Sequence, residues 1–402
     1  MKILMLTPSY DPIIGGTETV VKNLAINLNK IGVETDVMTF NMDKKWEPTW
    51  KWKIREEDGL EVYRIPAFNP FKKIPNPVGY SFKINVIPAL SFRKIMNDYD
   101  VLHFHDDVDL TFPLFCSFIK MPKVFQYHTL PYTHQFYRKS IPCKCILKSC
   151  MDHHICSSRS ALEMLIDIGI DERKIAVIPN AVDLNKFHSV NAEELCLYEK
   201  DMNIDSKSKK IVCISRLSPE KLNPIVSAIN AMPKVIHEIP DTKMIIVGNG
   251  SSFDYVKDLA KRINRQLNRD AIIVTGALDS NYMHIIMNLA DVVIGAGQIP
   301  VEAMACGKPT IVAGHIIGPF GGNFGGIATK ENIDDLKDHN FSGRNSMVKM
   351  NPDKIAEAVI KLLVNDNYRQ SIGEFGRKFV ENERDIHKIV RQLEMIYHNL
   401  LN

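Results

Sequence analysis

The chain has 402 residues, which is too long for one ordinary hydrophobic core. Of these residues, 45% are hydrophobic and 24% are charged, a composition typical of a globular protein. Its 50 Lys and Arg residues nearly balance its 47 Asp and Glu residues, which argues against a dedicated nucleic-acid-binding protein. The apolar runs at residues 3–6 and 86–92 are too short for a secretory signal or a membrane span, so we expect a cytoplasmic protein.

Short apolar runs alternate with amphipathic segments through the first half of the chain. Residues 2–7 predict a strand, and residues 17–30 then place apolar side chains on one helical face. Further strands are predicted at 34–39, 60–65, 101–105, 123–127, 153–157 and 174–179. Strand–helix alternation at this spacing is typical of a parallel sheet with helices on both faces.

The pattern lapses between residues 183 and 210, where the chain is polar and acidic. A second series follows, with strands predicted at 210–215, 242–248, 271–275, 292–294 and 309–313 and helices at 252–267, 301–306, 353–363 and 385–401. We therefore predict two tandem doubly wound, Rossmann-like α/β domains that face each other across a cleft. They span residues 1–188 and 210–384, with a linker at 189–209. Such a cleft suits an enzyme with two substrates.

Glycines stand between a strand and a helix at several places. Gly15 and Gly16 precede the first helix, and Gly248 and Gly250 follow the strand at 242–248. Glycines at such junctions let backbone N–H groups approach an anion at a helix N-terminus, although a tight turn is the alternative. The first pair lies outside any GxGxxG sequence, so a dinucleotide-binding fingerprint is absent there.

Histidines end two of the predicted strands. His103 and His105 point to the same face of one strand, and His128 ends the next. A histidine at the carboxyl end of a parallel strand can hydrogen-bond a phosphate or a hydroxyl group. Taken alone, a structural histidine is the favoured interpretation at these positions.

Charged side chains follow the first and fourth strands of the second series. Arg216 and Lys221 lie just after the first strand, where two cations suit a diphosphate. After the fourth, Gly297 frees backbone donors, and the Glu302 carboxylate near the start of a short helix can accept from a ribose diol. The alternatives are a solvated pair of surface cations and a helix N-terminal charge favoured by the helix dipole.

Four cysteines lie close together, at positions 143, 145, 150 and 156, with histidines at 153 and 154. No CxxC pair is present among them and Cys156 lies in a predicted strand, so ordinary reduced cysteines are favoured over a zinc site. We expect neither a bound metal nor a disulfide framework.

Six motifs together resemble those of the retaining glycosyltransferases of family 4, which have the GT-B fold. They follow the family's order over nearly the whole chain. They are the Gly15-Gly16 loop, HFHD at 103–106, VIPNAVD at 177–183, SRLSPEK at 215–221, IVGNG at 246–250 and EAMACGKP at 302–309. Each motif alone has low specificity for the family, but six motifs in the family's order are specific.

The resemblance implies an assignment of the site, residue by residue. Gly16 would place its N–H near the donor diphosphate or the reacting sugar, and His105 would face the transferred sugar. Arg216 and Lys221 would bind the diphosphate leaving group as catalytic cations, and Glu302 would hold the ribose. The implied donor-binding set is Gly15, Gly16, Arg216, Lys221, Gly248, Gly250, Gly297, Gln298 and Glu302.

The resemblance also implies a reaction. A hexose or N-acetylhexosamine would move from a UDP- or GDP-sugar to a hydroxyl group of a glycan or lipid-linked glycan, in the synthesis of cell-surface polysaccharide or glycoconjugate. Anomeric configuration would be retained by same-face attack, without a metal or other cofactor. The last helix, near residues 385–402, would pack back onto the first domain.

One position departs from the family pattern, in which seven residues separate two glutamates. Glu302 is the second, and Ile294 stands where the first is expected. Ile cannot accept hydrogen bonds from sugar hydroxyls, and a buried hydroxyl left unpaired costs about 1–3 kcal/mol. The donor sugar then sits differently, or Gln298 supplies polar contacts. The glycine-rich segment 318–326 is either a mobile loop or a substrate-facing element.

The first half carries a basic segment and a Trp-rich loop. Residues 110–151 contain six Lys or Arg residues and no Asp or Glu, and Trp46, Trp50 and Trp52 lie in a Lys-rich loop. These tryptophans and His128 are candidates for the acceptor side. Aromatics among cations suit an anionic membrane surface or a stacked sugar, and Trp side chains packed on their own domain are the alternative.

Two other functions are open at this point. The missing first glutamate would fit a non-catalytic, nucleotide-sugar-binding partner of another transferase, although the other motif residues are retained. A nucleotide-sugar epimerase would keep the fold, but such enzymes lack this set of motifs.

Overall fold

A computed structural model of the chain describes residues 1–11, 15–41, 53–66, 74–75, 81–82, 95–105, 113, 119–128, 130–201, 205–314, 322–344 and 346–402. The chain forms two compact units. One consists of Met1–Ala181 together with Ile386–Asn402, and the other of Val182–Asp385. Each unit contains a largely parallel sheet covered by helices, which confirms the predicted pair of Rossmann-like α/β domains.

The first unit is built on an eight-stranded sheet. The strands of this unit are β1 (Lys2–Thr7), β2 (Glu34–Phe40), β3 (Lys53–Glu57), β4 (Leu60–Ile65), β5 (Ile74–Pro75), β6 (Ser81–Phe82), β7 (Val101–His105), β8 (Lys123–Tyr127), β9 (His153–Cys156) and β10 (Ile175–Val177). The sheet order is β10-β9-β8-β7-β1-β2-β4-β3, and β5 pairs separately with β6. The central strand β1 has four apolar residues, 3–6, with no exposed surface, because both faces of the sheet are covered there.

The helices of the first unit before residue 170 include four with defined bounds within the described residues. They are α1 (Gly16–Lys30), α2 (Leu130–Lys139), α3 (Ile141–Cys150) and α4 (Arg159–Ile168). α1 buries Val21, Leu24 and Leu28 at helical spacing against the sheet. It ends just before Gly32, whose φ of +87° lies in the region that favours glycine.

The second unit is built on a six-stranded sheet. Its strands are β11 (Lys209–Ile214), β12 (Thr242–Val247), β13 (Ile272–Gly276), β14 (Val292–Gly295), β15 (Thr310–Ala313) and β16 (Phe324–Ile327), in the order β13-β12-β11-β14-β15-β16. Its helices are α5 (Ala192–Asp201), α6 (Leu222–Glu238), α7 (Phe253–Leu267), α8 (Met283–Leu289), α9 (Gln298–Ala305), α10 (Ile333–Asp338), α11 (Pro352–Leu363) and α12 (Asp366–Glu383). The edge strand β16 is antiparallel to β15, and the other neighbouring strands are parallel.

The C-terminal helix α13 (Ile386–Leu401) belongs to the first unit. Its buried residues Ile389, Val390, Leu393 and Tyr397 share one apolar core with side chains of α1 and the sheet. Their spacing of one, three and four residues places them on a single face of the helix. The last helix thus covers the first sheet although it follows the whole second unit in the chain.

Residues 192–201 form a helix, α5, where the sequence pattern lapses and a linker is predicted. Glu199 of this helix lies 2.9 Å from the Nζ of Lys210, with only 13% and 6% of the two side chains exposed. The ring of Tyr198 also contacts that of Tyr282 at 5.8 Å between centroids. The acidic residues that suggest a linker therefore include one that pairs with a buried lysine, and α5 belongs to the second unit.

The clustered cysteines occupy two elements of the first unit. Cys143, Cys145 and Cys150 lie on α3, and Cys156 is buried in β9, where burial raises its pKa to about 12. Among the described residues, no group of three or more His, Cys, Asp or Glu side chains is arranged to hold a metal ion. In the same part of the chain, no helix combines the length and the apolar character needed to cross a bilayer.

Candidate active site

The second unit brings its predicted site residues to one edge of its sheet. β11 lies between β12 and β14 and is parallel to both, so the strand order changes direction between β11 and β14. In open α/β sheets, ligands bind outside the carboxyl ends of the strands at such a switch point. Arg216 and Lys221 follow β11, and Gln298 and Glu302 follow β14. The structure therefore places all four at this switch point.

Arg216 and Lys221 form a cationic turn after β11. Arg216 is exposed, and Lys221 ends the 3-10 turn Pro219–Lys221 that leads into α6. Burial and the positive charge of Arg216 both lower the pKa of Lys221. Because a bound anion relieves the repulsion between two neighbouring cations, this turn suits a diphosphate.

Gly248 and Gly250 are required by the packing of two loops. Their φ angles of +151° and +157° are rare for residues with a side chain. A Cβ atom on Gly248 would lie 1.8 Å from the carbonyl oxygen of Ser215, and one on Gly250 would lie 2.4 Å from that of Leu217. The N–H of Leu217 also donates to the carbonyl of Asn249 at 3.0 Å. These glycines thus let the loop after β12 support the loop that carries Arg216.

Glu302 lies in the second turn of α9 and is half-buried. Burial raises its pKa to about 8, while the charge of Lys186 acts in the opposite direction. The carboxyl group is therefore largely protonated at neutral pH and can donate one hydrogen bond as well as accept others. Lys186 is not among the predicted site residues, and its position just after the VIPNAVD motif is the only sequence signal for it.

A very short connection joins β14 to α9. It consists of Ala296 and Gly297. Gly297 has a φ of +68°, and its N–H donates to the carbonyl of Phe341 at 2.9 Å. The loop that carries Phe341 therefore lies against the start of α9, where Gln298 is the first helical residue.

Ile294 lies inside β14 and not in the loop that follows it. Only 1% of its surface is exposed, and it belongs to the same apolar core as Ile211, Cys213 and Ile311. The Ile294 side chain is therefore part of the core of the second unit. The carboxylate that the family pattern has at this position is absent, and the short connection between β14 and α9 holds none in its place.

The first unit has a switch point of its own. β1 lies between β2 and β7 and is parallel to both. Gly15 and Gly16 begin α1 on the chain after β1, and Gly15 has an extended backbone. A Cβ atom on Gly16 would meet no described atom within 4 Å, and Gly16 has no positive φ. Neither packing against the described residues nor backbone conformation therefore requires a glycine at position 16.

His105, which is predicted to face the transferred sugar, is wholly buried at the end of β7. Its Nδ1 lies 3.2 Å from Nε2 of His128, and the two rings stack with centroids 5.5 Å apart. Burial, together with the charges of His103 and His128, holds the pKa of His105 well below its ordinary value, so its ring is neutral. His128, half-buried at the end of β8, is the member of the pair with accessible surface.

The predicted acceptor-side tryptophans Trp46, Trp50 and Trp52 lie outside the described residues, as do residues 318–321 of the glycine-rich segment. The rest of that segment leads into β16. In the basic segment, α2 and α3 meet at Ser140, and the Ile141 side chain beside it is 73% exposed. Exposed cations on these two helices are Arg138, Lys139 and Lys148.

Two sequence profiles match successive parts of the chain. The profile described as Glycosyltransferase Family 4 matches residues 14–186. The profile described as Glycosyl transferases group 1 matches residues 197–320. The first match covers most of the first unit, and the second covers the residues that carry the cationic turn and Glu302.

Similar proteins match over most of the chain. An uncharacterized glycosyltransferase of Methanocaldococcus jannaschii is 26% identical over 99% of this chain and 98% of its own. The alpha-monoglucosyldiacylglycerol synthase of Streptococcus pneumoniae is 24% identical over 78% of this chain and 71% of its own. The crystal structure of Anabaena HepE in complex with UDP and glucose is 18% identical with a TM-score of 0.71, over 99% of this chain and 100% of that chain. This last likeness concerns the fold, which is GT-B.

Proposed function

The chain belongs to the family 4 glycosyltransferases, and on that basis we propose that it moves a hexose or N-acetylhexosamine from a nucleotide-diphosphate sugar to a hydroxyl group. The observation that carries the proposal is the placement of Arg216, Lys221 and Glu302 at one switch point. Two cations suit a diphosphate and a carboxyl group suits a ribose diol, so together they fit the two polar parts of a nucleotide.

Arg216 and Lys221 bind the diphosphate in this proposal. Negative charge grows on the terminal phosphate as the glycosidic bond breaks, and fixed cations stabilise that charge more in the transition state than in the ground state. Lys221 is partly desolvated, so its charge acts at a lower effective dielectric than a fully solvated lysine would. Gly297 and Gln298 lie beside this site and supply a backbone turn and an amide.

Glu302 holds the ribose in this proposal. Its raised pKa, about 8, leaves a proton on the carboxyl group at neutral pH. A protonated carboxyl group can donate to one ribose oxygen and accept from the other hydroxyl group. The same group is a weaker partner for a ligand that lacks the diol, such as a 2′-deoxynucleotide.

We assign the contact with the transferred sugar to His128 rather than to His105. His128 has accessible surface, and His105 has none. His105 then orients His128 through the contact between Nδ1 and Nε2 at 3.2 Å. A Cβ atom on Gly16 would meet no described atom within 4 Å, which suits the close approach of a ligand to the backbone N–H groups of a helix N-terminus.

The proposed reaction retains anomeric configuration, in line with the motifs described above. The bond between the anomeric carbon and the diphosphate oxygen breaks, and the acceptor oxygen forms a bond to the same carbon from the same face. The acceptor's proton passes to the departing phosphate oxygen, so charges and atoms balance. The cations of the turn carry the leaving-group charge in this scheme, and no metal ion takes part.

We propose a glycan or lipid-linked glycan as acceptor, with peripheral contact to a membrane. A synthase of a glucosylated diacylglycerol is among the relatives. The exposed cations Arg138, Lys139 and Lys148 lie on the same two helices as the exposed Ile141, and Arg138 also pairs with Asp167 at 3.5 Å. Anionic headgroups attract such cations with about 1 kcal/mol each, and an exposed apolar side chain can enter the interface.

The alternative of a non-catalytic binding partner rests on the missing first glutamate, and the retained Arg216, Lys221 and Glu302 favour a transferase instead. The proposal is tested first by thermal shift with a panel of UDP- and GDP-sugars. A ligand that binds only the folded state raises the melting temperature, so at least one donor is expected to do so. A panel that leaves the melting temperature unchanged at millimolar concentration would contradict the donor site.

A further inference from the structure

The phenol of Tyr397 reaches from the C-terminal helix into the layer beneath it. Its hydroxyl lies 2.7 Å from Nδ1 of His103 on β7, and both side chains are wholly buried. Burial raises the pKa of Tyr397 and lowers that of His103 to about 3, so the two groups meet as a neutral phenol and a neutral imidazole. Nε2 of His103 has no hydrogen-bond partner among the described residues, which makes the Tyr397 hydroxyl the polar contact that fixes this ring.

The His103 ring in turn lies against that of His105. The two side chains are two residues apart on β7 and therefore share a face of the sheet. Their ring centroids are 4.1 Å apart, with the planes inclined by 34°. At this separation, His105 cannot turn toward His103 without displacing it, because buried rings are close-packed.

His105 then meets His128 at 3.2 Å between Nδ1 and Nε2. The complete array therefore runs from Tyr397 through His103 and His105 to His128. It starts on a buried face of the last helix and ends at the carboxyl end of β8, where His128 is half-buried.

We infer that Tyr397 is a positioning residue for His128, acting through the rings of His103 and His105. The inference rests on the proposed contact between His128 and the transferred sugar. A half-buried imidazole that is not held by a neighbour samples several orientations, and a small misplacement of a catalytic group lowers the rate strongly. The array holds the His128 ring in one orientation by a hydrogen bond at each end of the array and a ring contact in the middle.

The contact between His105 and His128 constrains which of the two facing nitrogens carries a proton. When two neutral imidazoles share a hydrogen bond, one nitrogen donates and the other accepts. Nε2 of His128 faces His105, so Nδ1 lies away from that contact. Loss of the Tyr397 hydroxyl frees His103 and then His105, and it therefore changes the population of His128 tautomers.

The test is Tyr397→Phe, followed by long-range proton–nitrogen NMR of the histidine rings. We expect wild-type His105 and His128 to show one protonated and one unprotonated nitrogen at their contact, and the variant to show averaged signals for His128. With a competent donor and acceptor, kcat should fall about tenfold while KM for the donor stays within about twofold.

His154→Phe is the matched control. His154 Nδ1 lies 2.9 Å from the hydroxyl of Tyr127, so His154→Phe removes the partner of this buried hydroxyl. Tyr397→Phe likewise removes the partner of the buried His103 ring in the same sheet. It should lose a similar amount of stability, leave the His128 signals unchanged and keep kcat within about twofold.

Unchanged His128 signals in Tyr397→Phe would overturn the inference, and so would a loss of kcat in Tyr397→Phe no larger than that in the control. A wild-type spectrum in which the two contacting nitrogens are both protonated or both unprotonated would overturn it without any variant. These results concern ring geometry alone. Failure of the proposed function is separate, because it would leave the His128 spectra as expected while His128→Ala kept full activity.

Discussion

The backbone of Ser215 lies so close to Gly248 that a single added carbon atom would come within 1.8 Å of its carbonyl oxygen. The loop after β12 therefore fixes the loop that carries Arg216. Because this contact is between two backbones, neither side can move aside as a flexible side chain would. A motif glycine that suggests phosphate binding in the sequence has a role in positioning the cationic turn.

Gly248→Ala should accordingly destabilise the second unit. The added methyl group clashes with backbone, and the φ of +151° is itself unfavourable for alanine, so we expect a loss of about 3 kcal/mol or more in the free energy of unfolding. Chemical denaturation measures it. A variant as stable as the wild type would contradict this account of the loop.

Gly16→Ala is the counterpart in the first unit. No described atom lies within 4 Å of the position of its Cβ, and alanine favours helix formation, so stability should be unchanged or higher by up to about 1 kcal/mol. Affinity for the donor should fall about tenfold, since the methyl group occupies the space left for the ligand. Titration calorimetry checks this, and an unchanged affinity would remove Gly16 from the donor site.

Replacement of the cationic turn should weaken diphosphate binding specifically. We expect Arg216→Ala and Lys221→Ala each to lower the affinity for UDP or GDP by about 10- to 100-fold, because each removes a charge-assisted hydrogen bond. Affinity for the nucleoside alone should change little. Lys261→Ala, at an exposed position on α7, is the control and should leave both affinities unchanged. Equal losses for nucleotide and nucleoside would indicate a general structural effect instead.

Glu302 should make the stability of the second unit depend on pH. Its pKa is raised from 4.5 to about 8 in the folded protein, so the folded state holds a proton that the unfolded state has released between these values. The free energy of unfolding should therefore fall as pH rises from about 4.5 to about 8, and stay level above that. Glu302→Gln should remove about 1–2 kcal/mol of this fall.

The measurement is urea denaturation at several pH values, with Glu357→Gln as control. Glu357 is exposed and pairs with Lys354 at 2.9 Å, so its replacement should leave the slope of stability against pH as in the wild type. A Glu302→Gln variant with the wild-type slope would show that Glu302 is ionised in the folded protein.

The surface at the junction of α2 and α3 should bind anionic vesicles. Charge reversal of Arg138, Lys139 and Lys148 is expected to reduce binding to phosphatidylglycerol vesicles by about 100-fold or more, and Ile141→Asp by about tenfold. Val364→Asp, at an apolar position that is 65% exposed in the second unit, should have no effect. Co-sedimentation that is equal for all variants would contradict the membrane contact.

The alternation of short apolar runs was sufficient to predict both sheets, because strands buried on two faces carry continuous apolar residues such as 3–6. It was insufficient for β3 and β16. β3 is a mostly exposed edge strand with four charged residues in five, and β16 contains two glycines, so neither carries an apolar pattern. α5 was missed because its residue Glu199 is acidic and yet buried. Glu199 is buried in an ion pair with Lys210, which lies eleven positions further along the chain.

The residues of the candidate site also differ in how well the sequence predicts their positions. The cations and Glu302 follow their strands directly, so local order in the sequence was enough to bring them together. The face on which Ile294 points and the burial of His105 depend on register and on neighbouring strands, which a linear motif does not encode. Tyr397 lies 294 residues from His103 in the chain, and only the folded structure places them in contact.

The most direct test of the central claim is turnover by the purified protein. The protein is incubated with the UDP- or GDP-sugar that raises its melting temperature, with glycan and lipid-linked acceptors, and the released nucleoside diphosphate and the glycosylated product are measured. We predict turnover by the wild type, with a product of the donor's anomeric configuration, and a loss of about 100-fold or more in the Arg216→Ala/Lys221→Ala double variant. Equal release by the wild type and the folded double variant, or donor binding without any release, would contradict a transferase that depends on the cationic turn.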